Sequence, residues 1–117
     1  MSARVWSASR VLACYLLHGP GTCAPGSRVC ELGAGCGGPG LALQARFACE
    51  VTLTDLPHAL PMLRLNAALN ASAARVRELR WGSASARQHV ELGRFDVIIG
   101  SDLVRPAGSR KVTRRAA

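Results

Sequence analysis

The chain has 117 residues, enough for one small domain and too few for two. Its hydrophobic fraction of 49% and charged fraction of 19% exclude a disordered composition. The net charge of +8 suggests nucleic acid, but five of the fifteen basic residues (Arg105, Arg110, Lys111, Arg114, Arg115) sit in a tail without acids. The remainder holds ten basic against seven acidic residues, scattered as on a solvated surface, so no specific nucleic-acid partner is expected.

Residues 5–17 read as an amphipathic helix, with Trp6, Ala8, Val11, Leu12, Tyr15 and Leu16 at helical spacing. The apolar run at 11–17 is short for a secretory signal, and no stretch is long enough to span a membrane. Residues 18–27 are a Gly- and Pro-rich loop. Residues 28–32 form a short apolar strand that ends in "ELGAGCGGPG", residues 31–40. Pro39 stands where a helix can begin, because its missing N–H costs nothing in the first turn; residues 40–48 would be that helix. Residues 50–55, "EVTLTD", are a second strand. A helix firm from about Pro61 follows, with Leu60, Leu63, Ala67 and Ala71 on one stripe. Residues 75–81 alternate as a third strand, with Val76, Glu78 and Arg80 on one side and Arg77, Leu79 and Trp81 on the other. Residues 82–93 are loop or short helix, and 95–102 a fourth strand, apolar enough at Val97, Ile98 and Ile99 to be covered on both faces.

Strands alternating with helices imply an α/β fold: a Rossmann-like, doubly wound, mostly parallel sheet. Ligands bind such sheets at the carboxyl ends of the strands. Three signals fall there: residues 31–37, Asp55, and Ser101 with Asp102. The expected division is residues 1–104 as a cofactor-binding domain and 105–117 as a basic, disordered tail. A four-stranded half-sheet would leave its most hydrophobic strand partly unpaired, so the chain is expected to be truncated after it or altered in splice or reading frame.

Two ligands compete for the glycine loop. Gly33, Gly35 and Gly38 match G-x-G-x-x-G after a strand, with Asp55 twenty residues beyond Gly35, which fits a dinucleotide and keeps an NAD(P)-binding oxidoreductase open. Glu31 just before the loop, however, adds negative charge near a pyrophosphate, and Pro39 removes a donor from the helix N-terminus. A cationic ligand with a ribose and no phosphate fits better, and S-adenosylmethionine is one. The five cysteines show no C-x-x-C and the three histidines no ligand pairs, so no metal is expected and the thiols read as small buried hydrophobes of a reducing compartment.

The run "E-L-G-A-G-C-G-x-P-G" resembles the first motif of class I S-adenosylmethionine-dependent methyltransferases. The closest resemblance is to the protein lysine methyltransferases called methyltransferase family 16. It extends to "VW-x-A-x-x-V-L-A-x-Y-L" at 5–16, "V-T-L-T-D" at 51–55, "L-R-x-N-x-x-x-N" at 63–70, "L-x-W-G" at 79–82 and "FDVIIGSDLV" at 95–104, in family order. The resemblance implies S-adenosylmethionine as cofactor, a protein lysine as acceptor, and a location in the cytoplasm or also the nucleus. Trp6 would lie near the methionyl end, Gly33, Ala34 and Gly35 against it, and Glu31 behind them. Asp55 would bind the ribose hydroxyls, Trp81 would pack on adenine, Ser101 would line the pocket, and Asp102 would face the substrate amine as the catalytic residue. The bland alternatives stay open: Trp6 and Trp81 as core, Asp55, Ser101 and Asp102 as caps, Asn66 and Asn70 as helix-surface residues or a C-cap. A non-catalytic cofactor-binding or interaction protein is the third class. The family usually has an aromatic residue where this chain has Arg105, whose charge opposes a sulfonium and a lysine ammonium alike.

Overall fold

The computed structural model describes residues 7–18, 23–70, 72–82 and 86–101. They fold as α1 (Ser7–His18), β1 (Arg28–Leu32), α2 (Gly38–Arg46), β2 (Glu50–Asp55), a 3-10 turn (Pro57–Ala59) running into α3 (Leu60–Leu69), β3 (Arg75–Glu78), α4 (Ala86–Leu92) and β4 (Val97–Gly100). The four strands form one parallel sheet in the order β3-β2-β1-β4. Order reverses at β1: the chain steps outward to β2 and β3, then returns to place β4 on the other side.

Register sorts the strand residues onto two faces. Val29 lies beside Val51 and Val97, Glu31 beside Leu53 and Ile99, and Leu53 beside Val76. These apolar residues join Leu16 of α1, Leu41 and Leu43 of α2, and Leu60, Leu63 and Ala67 of α3 in one core. The expected α3 stripe is the one that packs, and Ala71 lies outside the described residues. Cys30, Thr52 and Thr54 occupy the other face and are also buried.

Several boundaries and faces differ from the sequence reading. α2 starts at Gly38, with Pro39 inside its first turn, and stops at Arg46. On α1, Leu16 is buried, but Val11 and Tyr15 are 70% and 58% exposed. The face seated on the core is the narrower row of Leu12 and Leu16, four residues apart. β3 ends at Glu78 rather than Trp81. Strand alternation fails there, so Val76 and Leu79, expected on opposite sides, are both buried. In β4, Val97 and Ile99 are buried and Ile98 only half-buried, so full cover on both faces is not what these four residues have.

Candidate functional site

The glycine loop is built by backbone torsion. Gly33, Gly35 and Gly37 have φ of 57°, 58° and 79°, the left-handed region that a side chain disfavours. The chain therefore leaves β1, curls under its own end and enters α2 within five residues. Two glycines have a further role. A Cβ on Gly37 would lie 2.7 Å from Leu63 Cδ1. A Cβ on Gly40 would collide with Leu53 and stand 2.6 Å from Glu31 Oε2. Gly38, third glycine of the dinucleotide-like spacing, faces open space within 4 Å. The residue that lets helix and sheet approach is Gly40, not Gly38.

Four amides between Ala34 and Gly40 are used inside the protein. Ala34 N donates to Thr54 O (2.9 Å), Gly35 N to Asp55 Oδ2 (2.8 Å), and Gly37 N to Ala34 O (2.8 Å). Gly40 N, in the first turn of α2, donates to Glu31 Oε2 at 2.9 Å. A phosphate-binding loop directs such donors outward at its ligand. Here acids and carbonyls of β1, β2 and the loop itself have taken them.

Asp55 is the hinge of this arrangement. Its Oδ1 accepts from Leu56 N at 2.7 Å while Oδ2 accepts from Gly35 N, so it ties the end of β2 to the loop after β1, and neither the 3-10 turn nor α3 is capped by a side chain. Each carboxylate oxygen keeps a second lone pair, so the same group can also accept from a diol. Its carbonyl accepts Leu79 N at 3.0 Å, which brings the segment after β3 to the same edge. Two residues on, Trp81 is 56% exposed, which removes the reading of it as a core plug.

Glu31 lies on the helix-covered face and is 2% exposed. Burial pushes its carboxyl up to about 8; the Gly40 amide opposes the rise and the Asp55 carboxylate adds to it. This narrows its expected place among the cofactor-binding residues: Glu31 seats α2 against β1 and shapes the loop from behind. Thr54 Oγ1 donates to Glu31 O at 2.6 Å, locking β1 and β2 at this point.

Ser101 follows β4 and meets the site through the register of Gly100 beside Leu32. Its hydroxyl is 2.9 Å from that of Ser9 on α1, a cross-link that sequence reading missed because the residues lie 92 apart. Asn66 is neither a plain helix-surface residue nor the C-cap: its Nδ2 donates to Cys36 O at 3.0 Å and holds the loop from α3. Asn70 is the C-cap of α3, with Nδ2 donating to Asn66 O at 2.8 Å. Trp6, Asp102 and the tail lie outside the described residues.

The ends of β1, β2 and β4 thus meet at one edge around a left-handed glycine loop, with the acid of β2 on its backbone. Together with the strand order, this defines a Rossmann-like fold. The chain superposes on the S-adenosylmethionine-dependent methyltransferase of Agrobacterium tumefaciens with a TM-score of 0.61 at 22% identity, covering 82% of this chain and 32% of that one. A family model described as lysine methyltransferase matches residues 1–109, and the chain belongs to that family. It is 39% identical over 107 residues to the EEF1A lysine methyltransferase 3 of Mus musculus, covering 89% of this chain and 44% of that protein. It is 35% identical over 109 residues to the protein N-lysine methyltransferase METTL21A of Xenopus tropicalis, covering 89% and 48%. The chain spans about half the length of these curated relatives.

Proposed function

We propose that this chain binds S-adenosylmethionine at the carboxyl edge of its sheet and serves methyl transfer to a protein lysine. The observation that carries the cofactor assignment is the internal use of four loop amides, those of Ala34, Gly35, Gly37 and Gly40. With these four donors spent on Thr54, Asp55, Ala34 and Glu31, the loop offers backbone closeness and, beside it, the Asp55 carboxylate rather than an anion cradle; Glu31, buried and holding its proton, adds no charge. That suits a cation with a ribose and disfavours the pyrophosphate of NAD(P).

In this reading Asp55 accepts the ribose hydroxyls with lone pairs that Gly35 and Leu56 leave over. Trp81 offers its exposed indole face to the adenine. Gly33, Ala34 and Gly35 give the methionyl part a surface without side-chain bulk. Trp6, Ser101 and Asp102 complete the site by resemblance. Glu31 acts at a distance, by holding Gly40 and hence the start of α2. When bound, the cofactor supplies a methyl group on a sulfonium, open to in-line attack. The chain's contribution is alignment of a neutral amine with that methyl, and Asp102 is assigned to orient the amine and favour loss of its proton.

The acceptor class comes from relatives named for lysine methylation. Calorimetric titration of the full chain with S-adenosylmethionine, S-adenosylhomocysteine and NAD tests the cofactor. Saturable binding of the first two and none of NAD is expected; tight NAD with no S-adenosylmethionine reverses the assignment. Incubation of protein extracts with radiolabelled cofactor, followed by acid hydrolysis, tests the acceptor. Labelled methyllysine supports it, and label confined to methylarginine overturns it.

A further inference from the structure

The five cysteines form no disulfide, yet two of them meet. Cys49 is buried in the core immediately before β2, and Cys23, half-buried in the segment before β1, packs against that same core. The Cys23 side chain is hydrogen-bonded to Cys49, whose own Sγ points to Leu43 O at 3.9 Å. The segments around them are fixed to each other on both sides of the sulfurs: Gly26 N donates to Ala48 O at 2.5 Å and Glu50 N to Ser27 O at 2.8 Å.

We propose that Cys23 and Cys49 are a dithiol that closes to a disulfide under thiol–disulfide oxidants, clamping the entries of β1 and β2 together. Closure brings the two hydrogen-bonded sulfurs to the bonded distance of about 2.05 Å. The other thiols are placed differently: Cys14 is exposed on α1, Cys36 lies in the glycine loop, and Cys30 is buried on the opposite sheet face beside Thr54. With glutathione disulfide as oxidant, the more accessible Cys23 attacks as thiolate, forming a mixed disulfide and releasing one glutathione. Cys49 then loses its proton, attacks the Cys23 sulfur and expels the second glutathione. The protein dithiol gives up two electrons and two protons, and the oxidant becomes two glutathione thiols.

The clamp closes the 27-residue loop from Cys23 to Cys49, which contains β1, the glycine loop and α2. It acts at the amino ends of the strands, opposite the edge where Asp55 meets the loop. Oxidation therefore stabilises the domain and leaves cofactor affinity unchanged.

The test oxidises the reduced, folded full chain with glutathione disulfide, then denatures, alkylates and maps it by mass spectrometry. Three alkylatable thiols in place of five, one Cys23–Cys49 linked peptide, and a melting temperature higher by at least about 5 °C are expected. C14S should behave as wild type and C23S should form no intramolecular link. Retention of five free thiols, a link through Cys14 or Cys36, or a Cys23–Cys49 link that forms only in denaturant overturns the proposal. The wild-type map needs no variant, so misfolding of a variant does not blur the result.

Discussion

Replacing Gly40 by alanine tests how α2 is seated. The added methyl would collide with Leu53, stand 2.6 Å from Glu31 Oε2 and 3.2 Å from Val51 Cγ1. Overpacking against a sheet on this scale costs about 1–3 kcal/mol. The methyl also pushes Oε2 off the Gly40 amide it holds at 2.9 Å, and losing a buried bond costs about 1–3 kcal/mol more. Against this stands at most about 1 kcal/mol of helix propensity gained by removing a glycine. The net is a loss of about 1–5 kcal/mol. Gly38→Ala, two residues earlier in the same helix, meets nothing within 4 Å beyond its chain neighbours, and with Pro39 restricting it should change stability by less than about 1 kcal/mol. Urea unfolding followed by circular dichroism reads both. With a slope of about 2 kcal/mol/M, G40A lowers the midpoint by about 0.5–2.5 M and G38A moves it by less than about 0.5 M. A G40A midpoint at or above wild type, with the slope unchanged, would refute the claim that α2 reaches the sheet through Gly40.

Trp81→Ala should change stability by less than about 0.5 kcal/mol, because the ring is exposed, yet weaken S-adenosylmethionine binding at least tenfold by calorimetry. Equal affinity for wild type and W81A removes Trp81 from the site. Asp55→Asn turns an amide N–H toward a donor that Asp55 now accepts, Gly35 or Leu56, and should cost about 1–3 kcal/mol as well as cofactor affinity. Unchanged unfolding in D55N would mean those bonds do not form in solution. Glu31 makes stability depend on pH. The unfolded carboxyl gives up its proton near 4.5 and the folded one near about 8, so between these values the folded chain binds one proton more. Glu31's contribution is therefore fully present below 4.5 and falls as pH rises towards 8, by about 1.4 kcal/mol per unit. Unfolding curves at pH 5, 6, 7 and 8 should show this slope in wild type and its loss in Glu31→Gln; equal slopes count against a buried, proton-bearing Glu31.

The parallel α/β character was legible from strand and helix periods alone, and so was the convergence of residues 31–37, Asp55 and Ser101. Both follow from local pattern plus the rule that a strand, a helix and a second strand form a parallel pair. Family membership was legible too, because six motifs in order carry far more information than one glycine loop. Less visible was which glycine packs and which merely turns. Gly38 and Gly40 read alike in sequence, and only the position of Leu53 and Glu31 across the sheet separates them. The third strand ran too far in the sequence reading because Leu79 and Trp81 alternate well, although the backbone leaves β geometry after Glu78.

The amino-acid sequence by itself determined the order of elements, the apolar material of the core and the loop's need for left-handed backbone, since these depend on neighbours within a few residues. Tertiary structure alone decided where the polar groups went. Whether Asp55 faces solvent or Gly35, whether Glu31 is charged or holds its proton, and whether Cys23 meets Cys49 all depend on contacts between distant residues. Burial and the geometry of one hydrogen bond set those outcomes, and no local pattern encodes them.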